Sequence, residues 1–357
     1  MLWHGGFRSP AQVALACVAV LGLVLYGGQL RPTPLLAGLA LAAAAGVASL
    51  AWHRDRSSIA PVLAAIAVPC LIAVATRAHG RLVAELPLVV ALLGATVATA
   101  GLAGLALRIE PLAERIAGVW RAQGTLEYPP ALGLVCVCAL AATLALHAEG
   151  TLDRPSAVVV GALLAATAAA TFDRVAWIET AAVLALFAGR VISVRRTVAM
   201  VVAVSVACAL VALVVSHPSR AALERHLRHG PVSSRSDVWR TSWDAARDRP
   251  LLGYGPGRFS AIHDAADAQS RVTLAHNAVL EQAVESGMFA AAGTAVALAA
   301  MLLAGARALA SRQPLRLSAG VAASAVALSG LYDFTWSFAP LLLLGAISAL
   351  ACRRPDE

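Results

Sequence analysis

Residues 131–148 read ALGLVCVCALAATLALHA, a run with no acidic residue and no Arg, rich in Ala, Leu and Val and without alternation of polar and apolar side chains. A helix needs about 20 apolar residues to cross the hydrocarbon layer of a membrane. Only helices and closed barrels satisfy their backbone there. Barrel strands alternate, so this run is read as a transmembrane helix. Similar runs recur on both sides of it, at about 11–29, 34–52, 58–76, 86–107, 156–171, 175–189, 197–216, 287–306, 317–332 and 339–352. The expected fold class is all-α: a polytopic membrane protein of about 11–12 transmembrane helices with one large extracytoplasmic loop. Composition agrees, because the 357 residues are 59% hydrophobic and only 13% charged, where a soluble domain carries about a quarter charged.

The formal net charge is +8, and all 28 basic residues are Arg. They are scattered at the ends of apolar runs, a pattern that argues against a nucleic-acid partner and fits loops flanking membrane spans. With the C-terminus in the cytoplasm, the short inside loops hold twelve Arg and the short outside loops seven; from residue 131 onward the ratio is nine to one. This predicts a multi-pass protein of the cytoplasmic membrane, C-terminus inside. Residues 1–216 would hold helices 1–8, residues 217–286 the extracytoplasmic loop with short helices, and residues 287–357 helices 9–11. Five of the six cysteines lie inside apolar runs, none with zinc-ligand spacing, and are read as small buried hydrophobes. The first apolar run is long enough to remain as a span, so no cleavable signal peptide is expected.

The polar loop is not of low complexity. Residues Pro218 to His229 are predicted to form a short helix that Gly230-Pro231 breaks. A second helix, capped by Ser236 or Asp237, runs to about Asp248. On it Arg235, Trp239 and Trp243 share a face at i, i+4, i+8. The tryptophans suit an interface anchor, and Arg235 suits either a solvated loop position or bidentate contact with phosphate oxygens. Gly253-Tyr-Gly255-Pro-Gly257 lacks the Lys-Ser/Thr of a phosphate loop and reads as a tight turn. A last helix begins near His276 and is interrupted at Gly287, with Asn277, Glu281 and Glu285 at successive i+4 positions. His276 is a cap, a solvated side chain or a general base near neutral pH. Arg174 stands at the tip of a tight helical hairpin on the same side as Arg235 and His276, where it is equally an interfacial arginine. Glu179 and Asp333 are ionisable groups at membrane depth or at its edge, where such residues mark function by default.

These elements, taken in order, resemble a known family. Arg235-Ser-Asp-Val-Trp239, then Arg249-Pro250-Leu-Leu-Gly253-Tyr-Gly255-Pro-Gly257-Arg-Phe259, then His276-Asn277-Ala-Val-Leu280-Glu281 and Glu285-Ser-Gly287 are similar to the signature of the O-antigen ligase and polymerase superfamily. Upstream, Gly124-Thr-Leu-Glu-Tyr128-Pro-Pro resembles its outward loop, with Pro where Asn is frequent. Asp173-Arg174-Val175 resembles its Ser-Arg-Gly tip, with Asp and Val in place of Ser and Gly. The resemblance implies a GT-C-like membrane glycosyltransferase that moves a glycan from an undecaprenyl-pyrophosphate-linked donor to a glycan or lipid acceptor, with no cofactor and no metal. It further implies that His276, Arg235 and Arg174 are catalytic and that Trp239, Asn277, Glu281, Asp333 and Tyr128 contact substrate. The partners would be membrane lipid, the donor and the acceptor. A transporter or flippase, and a non-catalytic cell-envelope assembly protein, remain as alternatives.

Overall fold

The computed structural model describes residues 16–19, 33–54, 58–75, 79–116, 118–216, 235–259, 274–333 and 335–352. The first predicted span, apart from residues 16–19, and the predicted helix at 218–229 lie outside the described residues. Helix α1 (Pro34–His53) starts where the Thr33 hydroxyl accepts the Leu36 N–H at 3.1 Å and a proline occupies the first turn. It is followed by α2 (Ile59–Ala75) and α3 (His79–Leu107). A short antiparallel hairpin comes next, β1 (Ala113–Ile116) and β2 (Val119–Ala122), with Glu114 opposite Arg121 and Arg115 opposite Trp120. Then come α4 (Pro129–Ala148), α5 (Arg154–Ala170), α6 (Arg174–Arg190) and α7 (Arg195–Ser216). The polar loop contributes α8 (Arg235–Asp248) and α9 (Ala278–Ser286), and α10 (Met288–Leu309), α11 (Pro314–Tyr332) and α12 (Ala339–Ala351) complete the bundle.

Helix α4, the run that opened the sequence reading, lies at the centre, with every residue from Ala131 to Leu146 buried. Helices α3, α5, α6 and α11 pack around it. The largest single helix contact is α1 against α10, and it depends on two glycines. A Cβ on Gly38 would stand 2.6 Å from the Gly293 carbonyl oxygen, and one on Gly293 2.5 Å from that of Gly38. In a membrane, where apolar surface gains little by leaving lipid, such backbone-to-backbone contact is what holds helices together.

The all-α, polytopic expectation is met, with the β1–β2 hairpin as the exception. Ten of the predicted apolar runs are helices within two or three residues at most ends, although α3 begins earlier than its run. Among the described residues, five helices (α1, residues 84–107 of α3, α4, α10 and α11) are long and apolar enough to cross a membrane. Helices α6 and α7, whose axes differ by 119°, make a sixth if taken as one broken span. Three further apolar helices, α2, α5 and α12, are shorter, with 17, 17 and 13 residues. At 1.5 Å per residue such helices reach about 20–26 Å, short of a hydrocarbon layer about 30 Å thick. Helix α8 also differs from expectation: it starts at Arg235, so Ser236 and Asp237 lie in its first turn.

Candidate functional site

The connections between helices gather at two ends of the bundle. At one end lie the end of α1, the start of α2, the β-hairpin, the start of α4, the α5–α6 tip, α8, α9 and the end of α11, and most of the site residues expected from the sequence are there. Asp333, just past α11, is 2% exposed. Its Oδ1 accepts the Tyr128 hydroxyl at 2.7 Å and lies 3.1 Å from His276 Nδ1. Its Oδ2 lies 4.0 Å from an Arg235 guanidinium nitrogen. A carboxylate only accepts, so in this contact Nδ1 is the donor and Nε2 is the second ring nitrogen. Arg235 also donates to the Tyr332 carbonyl, which holds its guanidinium beside Asp333 with a fifth of the side chain exposed.

Several predicted site residues shape this cluster from behind. The Tyr128 ring stacks on Phe338, centroids 6.0 Å apart at 12°, and delivers its hydroxyl to Asp333. Burial, with the Asp333 charge adding, raises the Tyr128 hydroxyl well above the ordinary phenol range and keeps it a donor. Trp239 donates its indole N–H to the Ala275 carbonyl at 3.0 Å and so fixes the residue before His276. The shared tryptophan face therefore divides: Trp239 is half-buried in this contact while Trp243 is exposed. Asn277 caps α9 through the Leu280 N–H at 3.0 Å and donates to the Leu331 carbonyl at 2.9 Å, tying α9 to the end of α11. Glu281, expected to touch substrate, is 4% exposed and accepts the Ser337 hydroxyl at 2.7 Å, which places it on the protein side of the cluster. Between α9 and the bundle, His276 itself adopts φ +51°, a left-handed conformation uncommon for a residue with a side chain.

Arg174 opens α6 immediately after Asp173, whose carboxylate caps the helix through the Val175 N–H at 3.2 Å. This hairpin tip packs against β2, where Val119 contacts Phe172 and Trp177. Arg121 follows on the same strand. Burial pulls its guanidinium below the ordinary arginine range; Asp173 and Glu114 oppose that and Arg174 adds to it. Asp173 is raised by burial, while the Val175 N–H, Arg235 and Asp333 also act on it. Asp173, directly before Arg174, therefore lies within electrostatic reach of Arg235 and Asp333. Arg121, Asp173 and Ser337 were not singled out as site residues in the sequence. Arg121 stands three positions before Gly124 of the upstream loop, and that proximity was the one available signal.

The Gly253–Gly257 segment is a turn, as expected, with φ of +63°, +110° and +75° at Gly253, Gly255 and Gly257. It also grips the end of α9: Tyr254 and Gly255 donate to the carbonyls of Val284 and Glu285, both at 2.8 Å. A Cβ at Gly253 would lie 2.5 Å from the Glu285 backbone, so only glycine fits. The turn's amides do meet a carboxyl group, but it is the chain's own: Glu285 Oε1 accepts the Phe259 N–H at 3.3 Å, and the Gly257 N–H also points to it. Burial raises Glu285 and these amides oppose the rise.

Residues 159–295 match the family described as O-antigen ligase, which bears out the resemblance read from the sequence. The match spans Arg174, Arg235, Trp239, His276, Asn277 and Glu281, while Tyr128 and Asp333 lie outside it. No curated protein matches the chain.

Proposed function

We propose that the protein transfers a glycan from a lipid-pyrophosphate donor, of the undecaprenyl type, to an acceptor hydroxyl at the outer face of the cytoplasmic membrane. The observation that carries this reading is the meeting of His276 and Arg235 on the single buried carboxylate of Asp333. In the transfer, the bond between the sugar's anomeric carbon and the pyrophosphate oxygen breaks, and the acceptor oxygen forms the new bond. His276 Nε2 takes the acceptor's proton, with Asp333 orienting the ring and favouring the imidazolium that results. Arg235 and Arg174 hold the pyrophosphate and balance the charge that develops on it as it leaves. The lipid tail remains in the hydrocarbon layer while its head reaches these residues. Glu179, the membrane-depth acid that a transporter would use, accepts from the hydroxyl of Tyr332 at 3.4 Å, and Tyr332 directly precedes Asp333 in the chain.

The test is a transfer assay with purified protein in nanodiscs, a lipid-pyrophosphate-linked oligosaccharide and a glycan acceptor, followed by mass spectrometry. Elongated acceptor together with free lipid pyrophosphate is the expected result. Movement of intact donor across a bilayer without cleavage, or binding without turnover, would refute the reading.

A further inference from the structure

The His276–Asp333 contact joins two segments that a third residue holds from behind. Glu281 Oε1 accepts the Ser337 hydroxyl at 2.7 Å, and Ser337 stands in the short 3-10 turn Thr335–Ser337, four residues after Asp333. The Ala275 N–H also points to the Glu281 carboxyl, and Ala275, fully buried, immediately precedes His276. The helix between them is capped by Asn277, and the Glu281 N–H bonds the Asn277 carbonyl at 2.9 Å. The other carboxyl oxygen of Glu281 is buried without a hydrogen-bond partner. An acid kept under 5% exposed, one turn from a helix N-terminus, is costly unless its contacts are needed.

We propose that Glu281 is a positioning residue for the His276–Asp333 pair: one buried side chain grips the backbone before His276 and the hydroxyl after Asp333, and so sets the distance between imidazole and carboxylate. The proposal rests on the transfer reading for its catalytic consequence, but the geometry it claims is measurable without turnover. Burial, with Glu285 and Asp333 adding, raises the Glu281 carboxyl far above the ordinary range. A neutral side chain of the same shape is therefore the appropriate replacement.

The experiment compares wild type, Glu281→Gln, Glu281→Leu and Ser337→Ala in nanodiscs. The first readout is the pH dependence of His276 carbethoxylation by diethyl pyrocarbonate, mapped by mass spectrometry. The second is transfer kinetics with a lipid-pyrophosphate-linked oligosaccharide. Loss of the Ser337 hydrogen bond and of the Ala275 N–H interaction at a positioning residue is expected to lower kcat about tenfold or more, with KM for the donor within about twofold. Glu281→Leu should show this loss and a His276 modification profile altered at least about threefold, as an imidazole freed from its carboxylate requires. Glu281→Gln should restore both to within about threefold. A folded Glu281→Leu with an unchanged His276 profile, or with a loss carried by KM alone, overturns the proposal. If Glu281→Leu does not fold, Ser337→Ala, which removes one hydroxyl, decides on the same criteria. An altered His276 profile in a protein that transfers nothing, wild type included, supports the positioning role and removes the transfer reading instead.

Discussion

The two ends of the helix bundle solve the same problem in different ways. At the end away from the site the connections are short, and arginines close helix termini directly. Arg190 donates to the Ala310 carbonyl at 3.0 Å, Arg195 to that of Ala188 at 2.9 Å, and Arg316 to that of Cys352 at 2.7 Å. Cations at carbonyl ends are what helix dipoles favour. At the site end the connections are long, and their polar groups turn inward: Asp333, Glu281 and Glu285 are each under 7% exposed. His276 and Phe172, with φ of +51° each, hold left-handed conformations there. One end is built for cheap satisfaction of the backbone. The other retains buried acids and uncommon backbone angles, the kind of local cost that persists where geometry serves chemistry.

Substitutions at the two ends should separate accordingly. The largest effect belongs to His276→Ala and Asp333→Asn, each expected to reduce transfer about a hundredfold or more while leaving the melting temperature within a few degrees. Retention of transfer within about twofold by both would remove the catalytic assignment. Arg235→Lys keeps the charge and loses the fork that contacts both Asp333 and the Tyr332 carbonyl, so about a tenfold loss or more is expected, read as kcat/KM for the donor. A Lys variant equal to wild type would reduce Arg235 to a point charge.

Gly253→Ala forces a Cβ into the Glu285 backbone at φ +63° and should destabilise the protein by about 2 kcal/mol, measured by thermal unfolding in detergent. A smaller effect concerns pH. Burial raises both Glu281 and Glu285, so the folded state keeps protons that the unfolded chain loses near pH 4.3. Stability contributed by the neutral acids is full below that value and declines as pH rises toward the folded-state range. Glu281→Gln should therefore melt above wild type at pH 9, with the difference shrinking toward pH 5; an equal difference at both pH values would refute the linkage. The smallest change is expected at the opposite end, where Arg190→Ala should leave transfer within about twofold, because its bond to Ala310 is exposed.

Helix positions were legible because a local signal marks each: an apolar run sets the body, Pro at the first turn or Asp153, Asp173 and Asn277 before it set the start, and Gly287 sets the break. The residues that meet at the site were legible as members of an ordered pattern, above all Arg235 and His276. What could not be read was orientation. Glu281 at i+4 from Asn277 gives no sign of being buried, because its partner Ser337 lies 56 residues away. The β-hairpin escaped because each strand has only four residues and neither alternates cleanly, as Val119-Trp-Arg-Ala122 shows. Tyr128 was legible as a site residue, but its use as a donor to Asp333 depends on a contact 205 residues distant.

That last separation bears on how the protein is made. A ribosome delivers Tyr128 first, then Asp173, Arg235 and His276, and only after all of these the carboxylate that three of them contact. Until α11 is inserted, the growing chain holds a donor hydroxyl, an imidazole and a guanidinium with no common acceptor. Synthesis halted before Asp333 would leave the central helix made and these three groups without the carboxylate they share, so the cluster is assembled only once α11 has been made.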